Sequence, residues 1–234
     1  MEAVGFQRAP RYLGVDEQGR DVFAFVRGDV AVAPYPAWAQ RDGIISEVGA
    51  LLREFHEAMS GFDPGSLCSA ELADPRGGPV LCHNDVCPEN VVFREGKAVA
   101  LLDFDLAAPG RALWDVARTA RMWVPMAVPG TSRSWPGPTE VWRRLGVFAR
   151  AYRLDPGDGD EFADVLLTAT RQGQDWVRAK VAAGEPSFVE MWDRFGLRER
   201  YAADLAWIAA HRSKIAEAAG SAGPTSPTGG MSER

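Results

Sequence analysis

One eight-residue run and the strand that follows it constrain this chain more than any other feature. The run is His83-Asn84-Asp85-Val86-Cys87-Pro88-Glu89-Asn90, and beyond a hairpin comes Val99-Ala100-Leu101-Leu102-Asp103-Phe104-Asp105. The order is a loop carboxylate, an amide five residues on, a hairpin, and a carboxylate ending the return strand. Each part alone has a bland reading. A lone H-x-D is usually a turn, a single Asn is more often a turn or cap residue, and an Asp after an apolar strand often just opens a loop. Their occurrence together in this order is far less expected by chance, and it places a loop-and-hairpin unit at the centre of the fold.

The rest of the chain arranges itself around that unit. Arg11 to Val15 and Asp21 to Val26 read as a β-hairpin about the turn Asp16-Glu17-Gln18-Gly19-Arg20. Residues 28–43, with Gly28, Pro34, Pro36 and Gly43, read as a loop. Ile44, Ile45, Val48, Leu51, Leu52, Phe55 and Met59 recur at helical spacing and predict an amphipathic helix over 43–59. A Pro/Gly-rich connection, Gly61 to Gly78, leads to the strand Val80-Leu81, the motif loop, and a hairpin of Val91–Arg94 and Ala98–Asp103. From 139 the pattern is helical, over 139–153, 158–183 and 187–217, with Asp155-Pro156-Gly157 and Gly184-Glu185-Pro186 as breaks. Trp142, Trp176, Trp192 and Trp207 fall at helical spacing, which favours core packing over a cation-binding aromatic box. The Gly/Ser/Pro/Thr-rich end predicts a disordered tail over 218–234. The fold class is α+β, with a small β unit (1–27), a mainly helical body (28–217) and a tail.

Composition removes several classes. A net charge of −6 and a pI near 5.2 weigh against nucleic acid as a partner. Cys68, Cys82 and Cys87 are odd in number and form no C-x-x-C pair, so no disulfide framework is expected. No apolar stretch approaches the roughly 18 residues of a membrane span. The first residues, Met1 to Arg8, lack the basic-then-apolar pattern of a signal peptide, so a cytoplasmic protein is expected.

The motif suits phosphoryl transfer, which needs a carboxylate to orient or deprotonate a hydroxyl and oxygen ligands to hold Mg²⁺ on nucleotide phosphates. Asp85 supplies the first. Asn90 and Asp103 supply ligands, and Asp105, read as sharing a strand face with Asp103, is a second candidate. His83 braces the loop through backbone contacts, pointing away from Asp85. Asp115, in Leu113-Trp114-Asp115-Val116-Ala117, is placed to accept the loop's backbone amides. Asp103-Phe104-Asp105 is also similar to the nucleophile strand of haloacid-dehalogenase-type phosphatases, but that reading needs a small or hydroxylic residue near Leu106 and leaves the upstream loop unexplained. Cys87 has no visible base to make it a nucleophile. Asp160, Glu161, Asp164, Asp175, Glu190 and Asp193 read as solvated helix faces, with a pocket for a cationic acceptor as the rival reading. His56 and His211 read as structural or exposed.

These residues resemble the aminoglycoside phosphotransferase and choline kinase-like family, a branch of the protein-kinase-like fold. His83 to Asn90 is similar to its catalytic loop, Leu102-Asp103-Phe104-Asp105 to its metal-binding strand end, and Trp114-Asp115-Val116-Ala117 to its downstream stabilising Asp. Gly19 to Gly28 resembles its last N-lobe strand and hinge, and Leu51-Leu52-Arg53-Glu54-Phe55-His56 the helix after it. The resemblance implies ATP or GTP as donor, Mg²⁺ as cofactor, a small hydroxylated acceptor, and adenine against the backbone of Phe25, Val26 and Arg27.

One departure is large. The family pairs a strand Lys with a helix Glu beneath a phosphate-covering loop, whereas the three lysines here, Lys97, Lys180 and Lys214, all follow the catalytic loop. The expectation is a reduced N-lobe, with Arg8, Arg11 and Arg20 the only nearby cations, and a phosphotransferase impaired by that loss. The alternative is a non-catalytic kinase-like binding protein or truncated pseudoenzyme.

Overall fold

The computed structural model describes residues 4–65, 68–128, 135 and 140–221. It opens with an antiparallel hairpin of β1 (Tyr12–Val15) and β2 (Asp21–Phe23), Tyr12 opposite Phe23 and Val15 opposite Asp21. Asp16 Oδ1 closes the turn by accepting the Gln18 and Arg20 N–H groups, both at 2.9 Å. β2 ends at Phe23 rather than at Val26, because after the Ala24 N–H to Arg11 carbonyl bond (2.8 Å) the chain leaves its partner to meet the body. Gly28 makes that junction. Its φ is 149°, and a Cβ there would stand 2.5 Å from the Phe93 carbonyl oxygen. Only glycine lets Asp29 and Phe93 exchange backbone hydrogen bonds, each 2.8 Å.

The expected loop over 28–43 holds one short 3₁₀ turn, Ala37–Gln40, and runs into α1 (Asp42–Ala58). The stripe Ile44, Ile45, Val48, Leu51, Leu52 and Phe55 is fully buried, which is what gives a helix of this pattern its stability. Its neighbour is α3 (Val141–Tyr152), which approaches so closely that a Cβ on Gly49 would lie 2.8 Å from the Phe148 carbonyl oxygen.

Two short sheets bracket the motif loop. β3 (Val80–Cys82) enters it and pairs antiparallel with β6 (Ala108–Gly110), while β4 (Val91–Arg94) and β5 (Lys97–Leu101) form the hairpin between them. β5 stops at Leu101, so Asp103 does not end a strand as expected, and Asp103 and Asp105 share no strand face. The cause is local: Asp103 takes a left-handed φ of 59°, which breaks the extended run, and its Oδ1 faces the Asp105 N–H at 3.4 Å.

α2 (Ala112–Trp123) was not expected, nor was β6. α2 buries Asp115, Arg118 and Thr119 as well as Trp114, Val116, Ala117, Ala120 and Trp123, so much of its polar side faces protein rather than solvent. α4 (Gly159–Ala182) follows a turn in which Asp155 accepts the Gly157 N–H at 2.8 Å. The single helix expected over 187–217 is three: α5 (Pro186–Phe195), α6 (Leu197–Ala210) and α7 (Arg212–Gly220). Gly196, at φ 58°, separates the first two, and His211 ends the second with Nδ1 2.8 Å from the Trp207 carbonyl. α7 buries Ile215, Ala218 and Ala219, so order continues past the tail boundary expected at 218, and residues 222–234 of that tail lie outside the described residues.

The tryptophan assignment holds in part. Trp142 and Trp207 are half-buried and pack against the core, Trp176 and Trp192 are half-buried outside it, and the buried indoles are Trp114, Trp123 and Trp135. Trp114 and Trp123 lie on α2, where their N–H groups donate to the Leu72 (3.2 Å) and Val86 (2.8 Å) carbonyls. The architecture is α+β and mostly helical. Among the described residues, no helix is long and apolar enough to cross a membrane.

Candidate active site

The motif loop leaves β3 and is held from beneath by one buried carboxylate. Asp115 accepts the backbone N–H of His83 (2.6 Å) and of Asn84 (2.9 Å), and its Oδ2 also receives His56 Nε2 at 3.0 Å. His56 reaches across from α1 and its Nδ1 meets the Tyr152 hydroxyl of α3 at 2.8 Å. Burial works to raise the Asp115 pKa, but the hydrogen bond and charge of His56 and the loop amide outweigh it and hold the carboxyl below its usual range. His56, Cys82 and Asp115 place ligand atoms within 4.8 Å of one another. Each is committed within the protein, Cys82 Sγ donating to the Arg111 carbonyl at 3.4 Å, so the cluster is a brace.

Asn84 turns the loop. Its φ is 65°, a conformation Asn tolerates better than most residues, and its amide Nδ2 donates to the Leu106 carbonyl at 3.0 Å. Its own carbonyl accepts Arg118 Nε at 2.8 Å. His83 is fully buried beside it, and burial lowers its pKa, so the ring is neutral. Nε2–H then donates to the Leu102 carbonyl (3.0 Å), while Nδ1 accepts the Asp85 N–H (3.3 Å). The ring therefore locks the loop to the segment that carries Asp103.

Asp85 is half-buried on the wall of a cavity of about 560 Å³. Asn90 Nδ2 donates to both the Asp85 carbonyl and Asp85 Oδ2, each at 2.9 Å. Burial pushes the Asp85 carboxyl up to about 6, helped by the charge of Asp103, while Arg118 and the Asn90 hydrogen bond pull it down. A pKa near the working pH suits a general base. With Nδ2 committed, Asn90 has its amide oxygen left for a hard cation. The Leu102 N–H donates to the Asn90 carbonyl at 2.9 Å, which ties Asn90 to the segment of exposed Asp103. An amide oxygen and an exposed carboxylate on adjoining backbones fit the oxygen-ligand preference of Mg²⁺. Asp105, also exposed, lies in the turn beyond.

Phe25, Val26 and Arg27 lie between β2 and the Gly28 junction, with Phe25 86% exposed. Arg8 is occupied by Glu54 (3.3 Å) and the Ala98 carbonyl (3.2 Å), and Arg20 by Asp16 (2.7 Å) within its own turn. Cys87 lines the cavity, and burial pushes its thiol up, away from the thiolate form. None of Asp160, Glu161, Asp164, Asp175, Glu190 or Asp193 lines the cavity, and Arg212 pairs with both Asp160 and Asp164.

Sequence reasoning passed over three residues here. Arg118, Arg121 and Asp204 line the cavity, and Arg121 pairs with the buried Asp204 at 2.7 Å. His56, expected to be structural or exposed, is buried and carries the brace.

A helical body carrying this loop, a β-hairpin and a braced Asp has the kinase-like fold. Two solved structures share it: a choline/ethanolamine kinase family protein from Mesorhizobium loti (TM-score 0.62, 16% identical, covering 93% of this chain and 79% of that one), and an ethanolamine kinase from Plasmodium vivax (TM-score 0.57, 14% identical, covering 89% and 70%). At these identities the likeness establishes the fold. Residues 66–180 match the model of the phosphotransferase enzyme family, so the stretch that holds the motif loop, the hairpin and Asp115 is similar to that family in sequence. A trifolitoxin immunity protein from Rhizobium leguminosarum bv. trifolii is 33% identical over 132 residues, 53% of this chain and 48% of that protein. The chain thus spans about half the length of the curated relative it matches.

Proposed function

We propose that this chain transfers the γ-phosphoryl group of a nucleoside triphosphate, ATP or GTP, to a hydroxyl of a small molecule. The observation that carries the reading is Asp85: a half-buried carboxylate, fixed by Asn90 and by a loop hung on Asp115, on the wall of a cavity sized for a small molecule. In this reading Asp85 takes the acceptor's proton as the hydroxyl oxygen bonds to the γ-phosphorus. The bond from that phosphorus to the bridging oxygen breaks, and the nucleoside diphosphate leaves with the electron pair. Asn90 and Asp103, with Asp105 behind them, would hold Mg²⁺, which neutralises phosphate charge. The backbone of Phe25, Val26 and Arg27 would face the base. His83 and Asp115 position the loop.

Mg²⁺-dependent transfer to a panel of small alcohols, read by phosphorus NMR, tests this. Asp85→Asn should lower turnover by about 10²–10⁴-fold while leaving acceptor binding within a few-fold. Equal turnover in the variant would exclude Asp85 as the base.

One observation favours a second reading, a binding protein without turnover: the chain is similar to an immunity protein. In that reading the cavity sequesters a toxic small molecule rather than modifying it. The two readings part on turnover: tight acceptor binding with no Mg²⁺-dependent transfer, unchanged by Asp85→Asn, would select sequestration.

A further inference from the structure

The cavity beside Asp85 runs between α4, α5 and α6, and its walls are mostly apolar. α5 carries the apolar series Phe188, Met191 and Phe195 toward it, yet no residue of α5 is buried. An amphipathic helix stabilises a fold by covering its apolar face, and here that face, with Phe188 edge-on to Trp176 at 5.1 Å, lines the cavity.

Deeper on the wall, Thr170 and Gln174 stand one turn apart on α4 and are 8% and 4% exposed. Gln174 Nε2 donates to the Tyr201 carbonyl at 3.0 Å, but among the described residues Gln174 Oε1 and Thr170 Oγ1 have no hydrogen-bond partner. A buried acceptor left unmet is costly, and these two ask an occupant for an O–H or N–H donor.

The charges argue against a cation. Asp85, Glu89 and Asp204 are offset by Arg118, Arg121 and Arg200 on the same wall. Both indoles and one phenol ring on the wall, surfaces that would attract a quaternary ammonium, already carry the protein's own cations: Arg144 lies 5.3 Å from the Trp135 ring centre, Lys180 5.5 Å from Trp176 and Arg178 5.4 Å from Tyr201. A polycation would leave water for an apolar, charge-balanced space, which is unfavourable.

Resting on the phosphotransferase reading, we infer that the acceptor is an uncharged alcohol with a largely apolar or aromatic body and a second hydrogen-bond donor that meets Gln174 and Thr170. Its reacting hydroxyl faces Asp85, its body lies on Phe188, Met191 and Phe195, and its donor is held by α4. This class differs from both the polycationic and the quaternary-ammonium alcohols.

The test uses the full chain and three probes: N-(2-hydroxyethyl)-2-naphthamide as the neutral amide alcohol, choline, and kanamycin. Calorimetry measures binding and phosphorus NMR measures transfer from Mg²⁺-ATP. The naphthamide alcohol should bind at least about tenfold more tightly than either cation. Gln174→Leu and Thr170→Val should each weaken it about three- to tenfold, the worth of one hydrogen bond, and Phe188→Asp should weaken it more, with circular dichroism confirming the fold of each variant. Choline or kanamycin binding as tightly as the neutral probe, no binding of the neutral probe, or neutral binding indifferent to all three substitutions would each overturn the inference. Tight binding of the neutral probe without transfer would uphold the ligand class and sink the phosphotransferase reading. Transfer to choline with weak neutral binding would do the reverse.

Discussion

The protein contains two β-hairpins that look alike in sequence and live in opposite surroundings. In the first, β1–β2, Phe23 is 54% exposed, and its main aromatic contact is its own cross-strand partner Tyr12 at 5.5 Å. In the second, β4–β5, Phe93 is 3% exposed and is met edge-on by Trp38 and Trp123 at 5.5 and 5.9 Å. Glu47 of α1 pairs with Lys97 at 2.8 Å and accepts the Ala98 N–H at 3.3 Å. Alternating apolar residues specify a hairpin in both places. What makes the second rigid enough to carry Asn90 and Asp103 is the helix and the indoles around it, a tertiary contribution.

The comparison breaks most directly at its aromatic centres. Phe93→Ala should cost about 3–5 kcal/mol in urea unfolding, whereas Phe23→Ala should stay near the ±0.5 kcal/mol or so of surface changes. Equal losses would mean the first hairpin is covered in solution.

A smaller effect is expected at the glycines. Gly28→Ala drives a methyl group into the Phe93 carbonyl and the Val92 side chain, each 2.5 Å away, and should cost about 1–3 kcal/mol. Gly19→Ala meets open space at φ 78°, so only the backbone term of about 1–2 kcal/mol applies. The sharper readout is activity, which Gly28→Ala should lower through β4 and Gly19→Ala should leave alone.

The ion pairs give the smallest contrast. Asp16 and Asp74 both have lowered pKa values. In Asp16 the Arg20 backbone and side-chain hydrogen bonds outweigh burial, and in Asp74 the Arg111 side chain overcomes the burial that would raise it. A depressed carboxyl contributes stability above its unfolded pKa and loses it as pH falls through the folded value. Asp74, its side chain fully enclosed and 2.7 Å from Arg111, should account for about 1.5–3 kcal/mol at pH 7. Thermal unfolding of Asp74→Asn should therefore converge on the parent as pH falls through the lowered folded pKa of Asp74. Asp16→Asn should show little separation at any pH.

Much of this fold could be read in the sequence where periodicity was one-sided. α1, both hairpins and the bounds of α3 and α4 follow from apolar residues that alternate or recur on one face. α2 was passed over although its polar residues recur at helical spacing, and its polar side, with Asp115, Arg118 and Thr119, meets protein rather than solvent. The break at Gly196 was missed because a single glycine inside a helical pattern is tolerated as often as it terminates one. At the site, the residues of the motif and two of their supports, His83 and Asp115, were legible, and the contact that His56 makes was not. His56 lies 59 positions from Asp115, and only folding reveals that they touch. Asp204, Thr170 and Gln174 belong to helices whose placement sets the cavity, which local pattern does not encode.

The bareness of α5 has an evolutionary consequence. The brace under the motif loop draws on α1, β3, α2 and α3, whereas α5 buries no residue of its own. Substitutions on α5 can accumulate at little stability cost while reshaping what the cavity admits. A scaffold built this way can be retargeted along one short helix with the brace left untouched.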